Sequence, residues 1–202
     1  MTVYLFEGSP IVAPLTIESN EPIFVGNTTN LKQQRASQGA QRWELSFQIQ
    51  TKGNEEDYFV GVVTGVSTAK PMIMPQLNSV MSKITVTLPG AVAVTTVPGA
   101  TEVPVNFGQA GLLPKGSFIK FSNHYKIYLV TENVQTTTSS VSVPIYPPLR
   151  GTVFGTGTTV IHGNSFDKPK IQYLRDLETL QGIIYEDGVL INPGTIKLIE
   201  AL

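Results

Sequence analysis

Residues 42–50 alternate strictly between polar and apolar side chains. Trp43, Leu45, Phe47 and Ile49 are apolar, and a polar residue separates each from the next. Successive side chains of a β-strand point to opposite faces, so this period gives one apolar face and one polar face. The run predicts a half-buried strand whose four apolar residues face a core.

One amphipathic helix is expected after this strand, over about residues 55–69. Asn54 offers a helix N-cap, and the acidic residues at 55 and 56 suit the positive end of the helix dipole. Apolar residues then follow at a helical spacing, which is i, i+3, i+4 and i+7: Phe59, Val62, Val63 and Val66. Pro71 marks the end of the segment.

The middle of the chain differs in composition from both ends. Nine of the fourteen prolines fall between Pro71 and Pro148. Residues 80–150 carry five basic and two acidic groups, whereas both flanking segments are mildly acidic. Short alternating segments separated by Pro-Gly turns predict a small barrel. We therefore expect a mainly β protein in which an outer domain, residues 1–80 and 151–202, carries an inserted β-barrel over residues 81–150.

The composition argues against several classes of function. The chain has no cysteine, which excludes disulfides and thiolate metal sites. Its two histidines, His124 and His162, fall in predicted turns far apart in sequence, and neither accompanies a nucleophile. No spacing of acidic residues matches a metal site, and no apolar stretch approaches the ~20 residues of a membrane span. We expect no catalytic residue, cofactor, metal or membrane span, and folding in a cytoplasm.

A low content of charge favours a protein that works in contact with partners. Charged residues make up 14% of the chain, against roughly 25% in an average soluble domain. A free monomer usually covers its surface with more charge. The deficit predicts that part of the surface is buried in an assembly.

An alternative is a barrel that binds single-stranded nucleic acid or carbohydrate. Aromatic residues and lysines alternate in its middle: Phe118, Phe121, Tyr125 and Tyr128 with Lys115, Lys120 and Lys126. Stacking and charge of this kind hold single strands. A net charge of about +3 over the segment is weak for a phosphate backbone, so nucleic acid is not the preferred partner. The candidate contacts on the barrel surface are Lys120, Tyr125, Lys126 and Tyr128.

Three runs in the barrel segment resemble a barrel of tailed bacteriophages. Residues 116–121, 126–131 and 143–150 contain the pattern G-x-x-I-K, K-x-Y-x-V-T and I-x-P-x-L, which looks like an OB-like barrel of phage tail proteins. The order of strand, helix, inserted barrel and returning strands is similar to that of the distal tail protein (Dit) of siphophages. Central ring proteins of contractile-tail baseplates share this layout.

The resemblance implies a structural virion protein and not an enzyme. Its outer domain would be a β-sandwich with one helix that forms a homohexameric ring, with the OB-like barrel outside the ring. Such a ring, at the tail tip of the virion, connects the tail tube protein to the tail hub or tip protein. Receptor-binding or fibre proteins are further expected partners. The protein would be made in the host cytoplasm before assembly.

Overall fold

The protein divides into two compact units, which are described separately. A sheet unit comprises Met1–Met72 and Gln172–Leu202, and a barrel unit comprises Ile73–Ile171. The structure is a computed structural model, and it describes residues 5–6, 9–27, 33–37, 40–49, 60, 67–155, 157–176, 184–186, 189–192 and 195–201.

The described strands confirm the prediction of a mainly β protein with a β-sheet domain and a small barrel. In chain order they are β1 (Leu5–Phe6), β2 (Ser9–Asn20), β3 (Ile23–Asn27), β4 (Gln33–Ser37), β5 (Arg42–Ile49), β6 (Lys70–Ile73), β7 (Gly90–Val92), β8 (Glu102–Asn106), β9 (Gly111–Leu113), β10 (Phe118–Phe121), β11 (Ile127–Val130), β12 (Val134–Thr136), β13 (Val141–Tyr146), β14 (Thr159–His162), β15 (Lys170–Arg175), β16 (Ile184–Glu186), β17 (Val189–Asn192) and β18 (Ile196–Glu200).

The sheet unit is built on a six-stranded sheet with the order β1-β2-β5-β18-β15-β6, and two hairpins, β3–β4 and β16–β17, accompany it. Strand β5 lies in the interior of this sheet and pairs antiparallel with β2 and β18. The four apolar residues predicted to face a core, Trp43, Leu45, Phe47 and Ile49, are all buried, so this prediction is confirmed.

Aromatic packing fixes one part of this core. The ring of Phe6 makes an edge contact with Phe47 at 5.4 Å between centroids, and it lies 5.5 Å from Tyr173. These residues come from β1, β5 and β15, so the contact joins three strands that are distant in sequence. Aromatic pairs of this kind add to the stability gained from burial alone.

The barrel unit is closed by six strands in the order β10-β11-β13-β8-β7-β14, and every neighbouring pair is antiparallel. An OB-fold has five strands and is partly open, so this barrel has one strand more. A two-stranded sheet of β9 and β12 accompanies it. The interior is filled mostly by branched aliphatic and aromatic side chains, among them Val105, Phe107, Ile119, Phe121 and Tyr128.

The predicted barrel boundaries, 81 and 150, are wrong. Strand β14 lies beyond residue 150, and it closes the barrel by pairing with β10 on one side and β7 on the other. Without it, β10 and β7 would be two open edges. The compact unit accordingly extends over Ile73–Ile171.

The predicted helix over about 55–69 falls almost entirely outside the described residues. Val60 is helical, and residues 67–69 are not. A short helix that was not predicted, α1 (Asn78–Met81), lies before the barrel strands and buries Val80. Gly116 permits this packing: its φ is +86°, and a Cβ there would lie 3.2 Å from Val80 Cγ2. No helix within the described ranges is long and apolar enough to cross a membrane.

Candidate functional site

The four candidate contact residues lie on or between β10 and β11, but only two of them are available to a partner. Tyr125 is 65% exposed, and Lys120 is partly exposed. Lys120 Nζ lies 5.2 Å from the centroid of the Tyr125 ring, a cation–π geometry. Lys126 and Tyr128 are both buried. Their prediction as surface contacts is therefore wrong.

The strand register explains why Tyr128 is in the core. Tyr128 lies opposite Ile119 in the β10–β11 pair, and directly opposed side chains share a face of the sheet. Both residues are fully buried in the barrel interior. The neighbouring pair, Lys120 and Ile127, takes the other face. The sequence showed that side chains alternate along β10 and β11, but it did not show which of the two faces of this hairpin points into the barrel.

The hydroxyl of Tyr128 joins the hairpin to the segment after β13. The backbone N–H of Arg150 donates to it at 3.0 Å, and His124 Nε2 lies 3.0 Å from it. The Tyr128 ring also makes edge contacts with Phe121 and His124. This buried hydroxyl therefore links Arg150, which is 22 residues from Tyr128 in the chain, with His124, which is 4 residues from it.

His124 is held neutral in this arrangement. Burial, and then the positive charge of Lys120, lower the pKa of His124 from 6.5 to about 4. Its Nδ1 is buried with no hydrogen-bond partner among the residues that the structure describes. A protonated imidazole would need an acceptor at that nitrogen. His124 thus has a structural environment, in which its Nε2 faces the buried hydroxyl of Tyr128.

His162 is also a structural residue, not a turn histidine at the surface. It is the last residue of β14 and is fully buried. Its Nε2 lies 2.9 Å from the carbonyl oxygen of Leu88, and the N–H of Asn164 donates to Nδ1 at 3.3 Å. Burial lowers its pKa, and the hydrogen bond to Leu88 partly opposes this. A neutral ring with one donor and one acceptor satisfies both bonds.

The four aromatic residues of the predicted pattern do not form the stacking platform expected for nucleic acid. Of the four aromatic residues in the predicted pattern, Phe118, Phe121 and Tyr128 are buried, and Tyr125 is exposed. A single ring cannot stack successive bases along a strand. The burial of the other three favours a role in holding the barrel together.

The sheet unit contains a charge cluster around Glu44, which is buried. Its carboxylate accepts hydrogen bonds from Asn20 at 2.7 Å and Arg42 at 3.0 Å, and it pairs with Lys197 at 3.0 Å. Burial raises the pKa of Glu44, but these bonds and the charge of Lys197 outweigh it, so the pKa is lowered. Lys197 also pairs with Asp176 at 3.4 Å. The cluster joins strands and leaves Glu44 ionised, which does not suit proton transfer.

The sequence also gave no prediction of the exposed apolar side chains on the barrel unit. Phe166 is fully exposed, and Phe154 is 53% exposed near Val94 and Val97 on adjoining segments. Phe166 stands between Ser165 and Asp167 in a turn. An aromatic residue flanked by polar residues in a turn was the available signal.

Within the described parts of the chain, no group of three potential metal-ligating side chains occurs. No protein-family model and no curated protein matches the sequence.

Proposed function

We propose that this chain is a structural virion protein whose copies form a ring at the tip of a bacteriophage tail. In this function the ring connects the tail tube protein to the hub or tip protein, and it consists of six copies. The proposal carries forward the resemblance of the barrel motifs to distal tail and baseplate ring proteins.

The observation that supports it most is the architecture. A complete, closed barrel is inserted into a unit that both ends of the chain build. The chain leaves the sheet unit at β6 and returns at β15, and these strands are neighbours in the sheet. This is the layout that the resemblance implies: a β-domain for the ring and an added module carried on it.

The surroundings of the histidines favour a structural function over catalysis. Both imidazoles are kept neutral and are engaged in bonds that hold the barrel together. A general base must reach a substrate proton or a nucleophile. His162 is fully buried, and His124 faces the buried hydroxyl of Tyr128.

The alternative of a single-strand binder receives less support. It needs several exposed aromatic rings in series, whereas Phe118, Phe121 and Tyr128 are buried. Of the four candidate contact residues, Lys120 and Tyr125 remain available, and they form one cation–π pair.

Electron microscopy tests the proposal directly. The purified protein at high concentration, and virions labelled through an epitope on the protein, should show six-fold rings with a central channel at the tail tip. Closed rings use two different patches on each copy and leave no free end. Labelling of isolated single copies or of peripheral trimers would replace the ring with a receptor-binding or fibre-attachment function.

A further inference from the structure

Two hydrogen bonds join the β10–β11 hairpin to residues 150–152. The backbone N–H of Arg150 donates to the hydroxyl of Tyr128 at 3.0 Å, and Asn123 Nδ2 donates to the carbonyl oxygen of Thr152 at 2.7 Å. The bond to Arg150 is partly buried, whereas the bond to Thr152 is exposed. Because water competes for an exposed hydrogen bond, its net contribution is small. The contact therefore depends on the surroundings of Tyr128.

His124, in the turn of this hairpin, contacts both Tyr128 and residues 150–152. Its Nε2 lies 3.0 Å from the Tyr128 hydroxyl, and its ring lies 5.5 Å from the rings of Phe121 and Tyr128 between centroids. A Cβ on Gly151 would lie 3.7 Å from His124 Nδ1, so the imidazole stands against the backbone of this segment. We call the contacts of His124 and Tyr128 with residues 150–152 the His124 latch.

The closed latch does not accommodate a doubly protonated imidazole. A neutral imidazole has one N–H, whereas an imidazolium donates from both nitrogens. His124 Nδ1 is buried and has no hydrogen-bond partner in the part of the chain that the structure describes. Its Nε2–H would donate to the Tyr128 oxygen, which already accepts from the Arg150 N–H. A buried, charged donor without an acceptor is costly, so the imidazolium is more stable in water.

The groups that face His124 do not offset a positive charge on it. Burial, and then the ammonium of Lys120 in β10, lower the pKa of His124 from 6.5 to about 4. From β11 the ring meets the hydroxyl of Tyr128, and from the segment after β13 it meets Gly151. The Arg150 side chain beside this glycine is exposed and is also a cation. His124 itself is partly exposed, so its ring has a short path to water.

We propose that His124 is an acid-sensitive latch: when its ring gains a proton, it moves into water and the β10–β11 turn separates from residues 150–152. Without the imidazole, water reaches the Tyr128 hydroxyl and competes for the Arg150 N–H. The exposed hydrogen bond that remains is too weak to hold the turn alone. The opening takes place within the barrel unit of one chain, so it does not depend on the proposed ring.

Native-state hydrogen exchange of the full chain measures this opening at the amide of Arg150, which is bonded to Tyr128 in the closed latch. The open latch binds the proton with the ordinary pKa of histidine, and the closed latch binds it with a pKa of about 4. The open population should therefore rise as the pH falls below 6.5. Protection of the Arg150 amide, corrected for the intrinsic exchange rate, should fall about tenfold between about pH 6.5 and 4.5, less than the full shift allows because the ring is partly exposed. Unchanged protection would overturn the proposal.

Low concentrations of urea separate opening of the latch from unfolding of the whole barrel. A local opening exposes little surface, so its free energy hardly depends on urea, whereas that of global unfolding falls steeply. At about pH 4.5, protection of the Arg150 amide should not depend on urea. Protection of the Gly116 amide, which donates to Val130 at the far end of the hairpin, should decrease with urea. Equal urea dependence at the two amides would show that no separate latch opens.

Three variants attribute the effect to His124 and to the charge beside it. His124→Gln cannot gain a proton, so protection of the Arg150 amide should no longer depend on pH in this range, whether it is high or low. Lys120→Gln removes the cation that acts on His124 and should move the midpoint of opening to higher pH. Lys115→Gln removes an exposed lysine from the same unit and should leave the midpoint unchanged. A pH dependence that persists in His124→Gln, or equal shifts from the two lysine variants, would contradict the proposal.

NMR of the imidazole in the parent chain tests whether the ring moves. The ¹⁵N shifts of His124 should titrate over the same pH range in which the Arg150 amide loses protection. Nuclear Overhauser contacts between the His124 and Tyr128 rings should disappear over that range. An imidazole that titrates while it keeps these contacts would refute the latch, because the second proton would then be held in place.

Discussion

Removing the hydroxyl of Tyr128 should destabilise the barrel without changing its packing. The Tyr128→Phe substitution keeps the buried ring and deletes only the oxygen that accepts from the Arg150 N–H and lies 3.0 Å from His124 Nε2. Each hydrogen bond contributes about 0.5–1.5 kcal/mol net, and a donor left without a partner adds to the loss. We expect a cost of about 2 kcal/mol in the free energy of unfolding of the barrel.

Hydrogen exchange measured on peptides from β10 and β11 is the suitable assay. Trp43, the only tryptophan, lies in the sheet unit, so its fluorescence follows that unit and serves as an internal reference. Exchange through opening of the barrel should become about thirtyfold faster in Tyr128→Phe, since 1.4 kcal/mol corresponds to a factor of ten. The denaturation midpoint read by Trp43 should stay unchanged.

Tyr125→Phe is the matched control, because Tyr125 lies three residues earlier and its side chain is exposed. It should leave exchange in β10 and β11 as it is in the parent. Unchanged exchange in Tyr128→Phe would refute the reasoning, because it would mean that the two bonds contribute no net stability. An equal effect of Tyr125→Phe would attribute the loss to the hairpin in general.

Three further changes have defined outcomes. Trp43→Ala should cost about 3–5 kcal/mol, because the ring is buried in the sheet core; a urea midpoint by circular dichroism close to that of the parent would contradict this. Gly90→Ala should cost about 1–3 kcal/mol, because a Cβ there would overlap Val105 Cγ1 and lie 2.9 Å from Phe107 Cε1; thermal melts check it, and an unchanged midpoint would argue against close packing at β7. The pKa of His124 is lowered from 6.5 to about 4, so the unfolded chain binds the proton first as pH falls. About 1–2 kcal/mol of stability, reduced from the full shift because the ring is partly exposed, should be lost between about pH 6.5 and 4. His124→Gln should flatten that part of the stability–pH curve, and an identical curve would contradict the assignment.

The sequence predicted the central sheet strand because one period dominated it. In residues 42–50 every second side chain is large and apolar, and no proline or glycine interrupts the run. Only one choice of face buries the apolar set, so the core residues could be identified before the structure. Glu44 shows what the pattern could not predict: its burial depends on Lys197, which is remote in sequence.

Strand β14 was missed because its sequence carries little signal. It has four residues in a stretch rich in glycine and threonine, and its burial alternates from exposed Thr159 to buried Val160. A strand this short gains its stability from two pairing partners, β10 and β7. Those partners lie about 40 and 70 residues earlier, and local periodicity does not report on such pairings.

Pro144 lies in β13 of a closed barrel, although a proline in a strand is usually found at an edge or a bulge. The N–H of Ile145 donates to Thr101, toward β8, so the nitrogen of Pro144 points the other way, toward β11. The register of β11 with β13 ends at the pair of Val130 and Ile145. The residue without an N–H therefore falls just past the end of a ladder, where the loss of a donor costs little.

Barrel closure also explains why the surroundings of Lys120 could not be predicted from the sequence. Lys120 pairs with Ile161 across the β10–β14 ladder, so the chain that leaves β14 emerges beside β10. Asp167, in the segment after β14, accordingly raises the pKa of Lys120, although the two residues are distant in sequence. The same strand that completes the barrel thus leads Asp167 and Lys170 to Lys120, so a shift in the β10–β14 register would change the fold and the charges around Lys120 together.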